Sequence, residues 1–435
     1  MRPLLFLLLV LLTAGPADAQ TRRRLPEPLN LREHVEYAPS LTADGRTLIF
    51  QSDRYGLFHN ARKEVPVINS EGNQMKTARE TEVQFFGVYE TRLQPGGQWS
   101  RPEPIEAINR FDRGMTPVIG GPSISYDGNT LFFFAHYPER TVGFGREDLY
   151  YCLRERGGWS APINLGPNLN TPGYEGFPSI SPDGRHLYFI RENLSRKAEG
   201  ETRCYRIMRS ERGADGRWKR PIELPAPVNL DCEKAPRIMA DGRTLVFSSL
   251  KKDGKGDFDL YLSRFQDDGT WSPPLPLDVI NTRRSDQSVA FNACGDVLYY
   301  VSDGDIYTTE IPEALRPFKR ATVQGFVTDS LTGAPLQVRV VVNDAATGQL
   351  LTTAETSPAD GRFTVLVPPT TAYRLRVDEP AYRQRTLRVE VEDFRECRVI
   401  PRDFRLVSVN APVSTRRADI AVLTEPAPTT ERATA

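Results

Sequence analysis

Five times along the first three hundred residues, a short β-prone run meets a turn signal and resumes as a second β-prone run. Four copies read PSLTADGRTLIF, PSISYDGNTLFFF, PSISPDGRHLYFI and PRIMADGRTLVF, with turns at Asp44-Gly45, Asp127-Gly128, Asp183-Gly184 and Asp241-Gly242. A degraded fifth, VAFNACGDVLYYV, turns at Cys294-Gly295. Glycine accepts a positive φ and aspartate bonds the amides of its own turn, so each copy predicts a β-hairpin. An aromatic third strand follows each hairpin, at Val88-Tyr89, Leu149-Tyr150, Cys204-Tyr205, Leu260-Tyr261 and Ile306-Tyr307. After four of these, a glycine-containing turn leads into Trp-x-x-Pro at Trp99, Trp159, Trp218 and Trp271.

All four tryptophans of the chain therefore mark one position of a repeat, with separations of 60, 59 and 53 residues. A four-stranded unit repeated in register is the pattern of a β-propeller, and a β-sandwich would not give a whole-unit period. The hairpin resembles the S-x-S-P-D-G-x-x-L-Y-F repeat of TolB-type, WD40-like propellers, and residues 179–189 match it almost position by position. The resemblance covers about residues 25–312 and implies fold more than function, because propellers host many activities. The fifth unit lacks Trp-x-x-Pro and runs into Pro312 and Pro317. Pro28-Leu29-Asn30-Leu31 repeats Pro162-Ile163-Asn164-Leu165, so Leu25–Leu31 is expected to supply the outer strand of the last blade and close the ring. The expectation is a five-bladed, all-β propeller over residues 25–315.

After Pro317 the pattern becomes strict alternation, as in Val338-Arg339-Val340 and Arg374-Leu375-Arg376-Val377, which predicts half-buried strands of a sandwich over 320–407. Val323-x-Gly325-x-Val327-x-Asp329, Thr332-Gly333-x-Pro335-Leu336, Asp360-Gly361-x-Phe363 and Tyr373-x-Leu375-x-Val377 resemble the carboxypeptidase regulatory-like domain, a transthyretin-like or Ig-like sandwich. That resemblance implies an accessory module without an active site, and the peptidase zinc ligands are not found in the sequence. Residues 408–435 turn to Thr, Pro, Ala and Glu and are expected to form a disordered tail. Propeller followed by sandwich resembles the central modules of PorE-type envelope proteins of Bacteroidota type IX secretion. The helical repeat region and the OmpA-like domain of that family are not matched, so its anchorage to peptidoglycan is not carried over.

Charge narrows the partners. The 435 residues carry 56 basic and 56 acidic side chains, a formal net charge of zero, which argues against nucleic acid. Residues 1–19 combine Arg2, an apolar run from Leu4 to Leu12 and Ala17-Asp18-Ala19, the pattern of a secretory signal peptide. No later run is long and apolar enough to predict a transmembrane helix. The expected location is the periplasm, the outer-membrane surface or the medium. Five cysteines is an odd number with no Cys-x-x-Cys pair, so most are expected to be small buried hydrophobes.

The candidate binding surface follows from loop length. Connections after the second strand of each unit vary widely: Arg54–Gln84, His136–Glu147, Glu192–Thr202 and Leu250–Phe258. Variable loops gathered on one face of a rigid scaffold are where recognition is usually placed. The longest, Arg54–Gln84, contains His59 and is either functional or disordered. Glu36, Glu175, Glu233 and Asp286 each lie three residues before the residue that opens the repeat hairpin. They could ring the channel mouth and take a cation or basic peptide, or each could brace its own inter-blade loop. Arg54, His59, His136, Glu36, Glu175, Glu233 and Asp286 are the candidate binding residues.

No His-Glu-x-x-His, Gly-x-Ser-x-Gly or phosphate-binding glycine loop is present. The reading assigns no catalytic residue, no metal ligand and no cofactor, and expects the chain not to be an enzyme. It expects an envelope protein or cell-wall component as partner and no small-molecule substrate. A glycan- or peptide-binding module is the alternative, and a propeller-type polysaccharide lyase or glycosidase the second.

Overall fold

The structure is a computed structural model and describes residues 22–54, 65–68, 74–78, 86–111, 118–137, 143–193, 204–251, 253–369, 371–391 and 399–410. The expected signal peptide, His59 and residues 411–435 of the expected tail lie outside the described residues. The architecture is all-β and propeller-like, followed by a two-sheet sandwich.

Five antiparallel sheets form the first part. Their opening strands are Glu36–Leu41, Val118–Ile124, Glu175–Ile180, Glu233–Ile238 and Asp286–Phe291. Each pairs through its Asp-Gly or Cys-Gly hairpin with a second strand, Thr47–Ser52, Thr130–His136, His186–Glu192, Thr244–Ser249 and Val297–Ser302. Third strands follow at Gly87–Arg92, Asp148–Glu155, Tyr205–Glu211, Asp259–Arg264 and Asp305–Glu310. Opening strands of successive sheets pack side by side, and that of the fifth returns to the first. Each opening strand has a break in register, at Tyr37/Ser40, Gly120/Ser123, Gly176/Ser179, Lys234/Arg237 and Gln287/Val289. In four of them a proline stands there with no N–H to give the ladder, which makes a bulge the favourable solution. The residue at each bulge takes a positive φ: Ala38, Gly121, Phe177, Ala235 and Ser288.

The four tryptophans occupy one position, as the repeat implied. Each pairs with a residue at the end of a third strand: Leu93 with Trp99, Arg154 with Trp159, Arg212 with Trp218 and Phe265 with Trp271. The fifth sheet takes its outer strand from the start of the chain, but in a different register from the one expected. Arg23–Arg24, rather than Leu25–Leu31, pairs with Tyr307 and Thr308. Leu25 adds one bond to Ile306, and residues 27–29 form a turn. Leu29-Asn30 is thus the counterpart of Leu169-Asn170, not of Ile163-Asn164.

The sandwich sets Arg362–Val367, Ala321–Asp329, Val399–Pro401 and Phe404–Leu406 against Leu350–Glu355, Arg339–Asp344, Thr371–Val377 and Arg385–Val391. Its core is the inward half of the alternation: Val323, Val327, Val340, Val342, Phe363 and Leu375 are all fully buried. Contacts continue past residue 407, since Ser408 pairs with Tyr382 and the Val409 N–H donates to Ala381 O. The sandwich rests on the Asp-Gly turns of the ring. Arg362 reaches the Asp44 carboxylate at 3.4 Å, and Gln324 donates to the same group. Asn129 donates to Glu355 O, the Phe318 N–H to Asp241, and Arg320 to Asp241 O. Leu366 packs against Ala43, Ala240 and Ala293, three turn residues from three sheets.

Cysteine usage departs from the expectation. Cys204 and Cys232 form a disulfide, Cys294 is disulfide-bonded as well, and among the described residues only Cys152 is a free thiol. Spacing along the chain gave no sign of this, because the Cys204–Cys232 bond joins the residue that leads into a third strand to the loop that enters the next sheet.

Candidate functional site

With the sandwich seated on the Asp-Gly turns, the opposite end of the ring carries the variable loops and the loops that lead from one sheet to the next. The four candidate carboxylates lie there, each wholly buried. Each accepts bonds from the loop that delivers its own strand. Glu36 accepts from the Leu31 N–H at 3.3 Å, and Glu175 from the Thr171 N–H at 2.9 Å. Glu233 takes the N–H groups of Leu230 and Asp231 at 3.2 and 2.7 Å, and Asp286 that of Thr282 at 2.6 Å. An arginine sits against each: Arg54 at 2.9 Å, Arg191 at 2.7 Å, Arg206 at 3.3 Å and Arg22 at 3.9 Å. Burial pushes the carboxyls of Glu36, Glu175 and Glu233 above their usual range, against the pull of these bonds. Each of the four therefore braces its own inter-sheet loop, the second of the two alternatives the sequence left open, and at this burial none is presented as a free carboxylate to a cation or peptide.

Arg54 belongs to the same bracing. Its guanidinium donates to Pro28 O, Leu29 O and Glu36, and lies 4.8 Å from the Phe50 ring centroid. It fastens the N-terminal segment and is buried, so it is not presented to a ligand. His136 ends its strand opposite Val118, half-buried. Burial pushes up the carboxyls of Glu147 and Asp148, and the nearby His136 in part pulls them down. The described histidines stay apart: His34 lies 3.4 Å from Asp53, and His186 is in the third sheet facing Glu211 across the ladder. Among the described residues no group of three or more His, Cys, Asp or Glu is arranged to hold a metal.

Three features of this end were not found from the sequence. First, a buried asparagine recurs in all five sheets. Asn109, Asn170, Asn229 and Asn281 each accept the N–H and donate to the C=O of one third-strand residue, respectively Val88, Leu149, Ile207 and Leu260. Asn30 makes the same pair with Ile306 at 2.8 Å, across 276 positions of sequence. The signal was present as an apolar residue followed by Asn, repeated once per unit. Second, Gly143-x-Gly145-x-x-Asp148-Leu149-Tyr150 recurs as Gly254-x-Gly256-x-x-Asp259-Leu260-Tyr261. Each aspartate gathers amides of its loop, Phe144 for Asp148 and Lys255 and Gly256 for Asp259. A Cβ on Gly145 or Gly256 would run into the carbonyl oxygen of Thr171 or Arg284 in the adjoining loop, so both positions need glycine. Third, the axis of the ring is filled. Among the described residues, two cavities there are each about 10 Å³, room for a single water at most. One is lined by the five positive-φ bulge residues together with Arg237.

Comparison with known proteins places the second part firmly. Residues 322–406 match the carboxypeptidase regulatory-like domain, and the C-terminal sandwich is one. No curated protein matches the chain. Among solved structures, the chain is similar to a TolB candidate from Agrobacterium tumefaciens at 19% identity, covering 77% of this chain and 90% of that one, with a TM-score of 0.35. It is similar to a gluconolactonase from Xanthomonas campestris at 14% identity, covering 68% and 96%, with a TM-score of 0.36. It is also similar to an N-acetylgalactosamine deacetylase from F. plautii at 10% identity, covering 83% and 96%, with a TM-score of 0.42. These likenesses concern fold and carry no activity to this chain. They do overturn one expectation. The solved structures it resembles are mostly enzymes, so the exclusion of catalysis drawn from missing motifs is withdrawn.

Proposed function

We propose that the protein is an exported binding protein of the cell envelope. In this reading a five-bladed propeller, closed by its N-terminal strand, holds a protein or cell-wall partner on its variable-loop face, and the regulatory-like sandwich caps the other face. One observation carries it: the sandwich covers the Asp-Gly turns and the axis is filled, so the broad end left uncovered by the described chain is the variable-loop face. The leader-like residues 1–19 and the Cys204–Cys232 disulfide support export to an oxidising compartment, periplasmic or outer-membrane-associated. The order of modules supports a place like that of PorE-type proteins, beside type IX secretion.

The test is site-specific photocrosslinking in cells. Photoreactive residues at Arg110, Phe144 and Arg284, exposed on the variable-loop face, should give a discrete adduct with an envelope protein or peptidoglycan. The same group at Ile222 or Leu275, exposed on outer strands, should not. Equal adducts from both sets, or none from the first, would overturn the reading.

A second reading, a saccharide ligand, is favoured by the side chains at the start of the opening strands. Tyr37 stands edge-on to Phe177 with ring centroids 6.1 Å apart and bonds Gln287, and Lys234 Nζ lies 5.8 Å from the Phe177 ring. Aromatic faces beside amide and ammonium donors suit sugar rings. A glycan array with the intact chain separates the two, since a protein partner predicts no saccharide preference.

A further inference from the structure

Arg237 stands where the repeat places a small residue: Ser40, Ser123, Ser179 and Ala290 hold the same position in the other sheets. Its long side chain crosses the axis of the ring. Nε donates to Val289 O at 3.0 Å, Nη1 to Ser40 Oγ and Ser123 Oγ at 3.3 and 2.9 Å, and Nη2 to Pro39 O and Pro122 O at 3.1 and 3.4 Å. All five guanidinium N–H groups are thereby used, on acceptors from three other sheets. Among the described residues no carboxylate pairs with it. Burial lowers its pKa to about 10, which leaves it a cation at neutral pH.

Arg237 is half-buried, and a charge drawn out of water is normally met by an opposite charge, because the transfer is costly. Here the compensation comes from main-chain carbonyl dipoles and hydroxyls. The bulges explain why they are available: each breaks the ladder beside Pro39, Pro122 or Val289, next to a residue of positive φ, and carbonyls of these residues are left to bond across the axis. We propose that the axis of the ring is a cation site built from the carbonyls of Pro39, Pro122 and Val289 and the hydroxyls of Ser40 and Ser123, and that the chain occupies it with its own guanidinium. The ligand class of the site is a small planar cation of guanidinium type. The site does not depend on what binds the variable-loop face.

Arg237→Ser restores the residue of the other sheets and empties the site. The variant should melt below the wild type and bind one equivalent of methylguanidinium in equilibrium dialysis, with affinity in the millimolar range. Methylguanidinium should raise its melting temperature where methylammonium and sodium chloride at equal concentration do not. The wild type should bind none. No binding to the variant, or equal binding to both proteins, would overturn the proposal. Should Arg237→Ser fail to fold, dicarbonyl labelling of the native wild type followed by peptide mapping decides it. Arg237 should stay unmodified while the exposed Arg284 and Arg388 react. Reaction of Arg237 at their rate would sink the idea.

Discussion

The two ends of the ring are built on opposite terms. At the sandwich end, Asp44, Asp127, Asp183 and Asp241 each accept the N–H two residues on, at 2.9 to 3.0 Å. Short turns of one geometry make a nearly regular platform, and the chain's own sandwich lies on it. At the other end the connections differ in length from sheet to sheet, and buried acid–arginine pairs hold the inter-sheet loops from below. A surface that meets the same partner within every molecule can be uniform. One that meets something outside needs a variable skin on a rigid base. The comparison teaches that the bracing carboxylates stiffen the open end from below and are not part of its outer surface.

The most severe way to break this contrast is to open the ring. Asn30→Ala leaves the Ile306 N–H and the Leu25 carbonyl without partners and takes one of two donors from the Ile306 carbonyl, and should cost about 4 kcal/mol by urea denaturation. Both ends should fail together, with crosslinking at the variable-loop face lost as well. Glu36→Ala comes next, at about 3 kcal/mol, because it leaves the buried Arg54 guanidinium, the Leu31 N–H and the Ser52 hydroxyl without their acceptor. Burial raises the native Glu36 pKa above the ordinary value of 4.5, so the native state takes up that proton first as pH falls. The wild type should therefore gain on the variant from neutral pH toward about pH 5, and a cost that shrank instead would refute the assignment.

Smaller effects sharpen the comparison. Arg362→Ala removes a partly exposed ion pair to Asp44 and should cost under about 1 kcal/mol, while speeding proteolysis between residues 312 and 320. Phe144→Ser, on the exposed skin, should change stability by less than about 0.5 kcal/mol yet lower the crosslinking yield at Arg284. If Arg362→Ala reduced that yield and Phe144→Ser did not, the roles of the two ends would have to be exchanged.

Much of the scaffold was legible because the repeat keeps its large side chains in register. Trp99, Trp159, Trp218 and Trp271 could be read as one position, since an aromatic at a fixed distance from a glycine turn is conspicuous. The spacing of Glu36, Glu175, Glu233 and Asp286 was legible too, but their burial was not: a carboxylate in sequence looks the same whether it faces solvent or an amide. The closing strand was placed in the wrong register for a related reason. The second unit offers both Ile163-Asn164 and Leu169-Asn170, and only the bonds to Leu149 tell which asparagine Asn30 repeats. Arg237 is one letter in a hairpin to any reading of the sequence, because its partners come from three other sheets and no local pattern reports them.

The pairing of Asn30 with Ile306 also imposes an order of events. A chain that emerges from its N-terminus, whether from a ribosome or through a membrane, presents Arg23 and Arg24 long before their partners Thr308 and Tyr307 exist in the same space. The first strand has to wait, unpaired, until nearly the whole ring has followed it. The fifth sheet is therefore completed late, once residues 305–310 have joined it, and a product truncated before them cannot make that pairing.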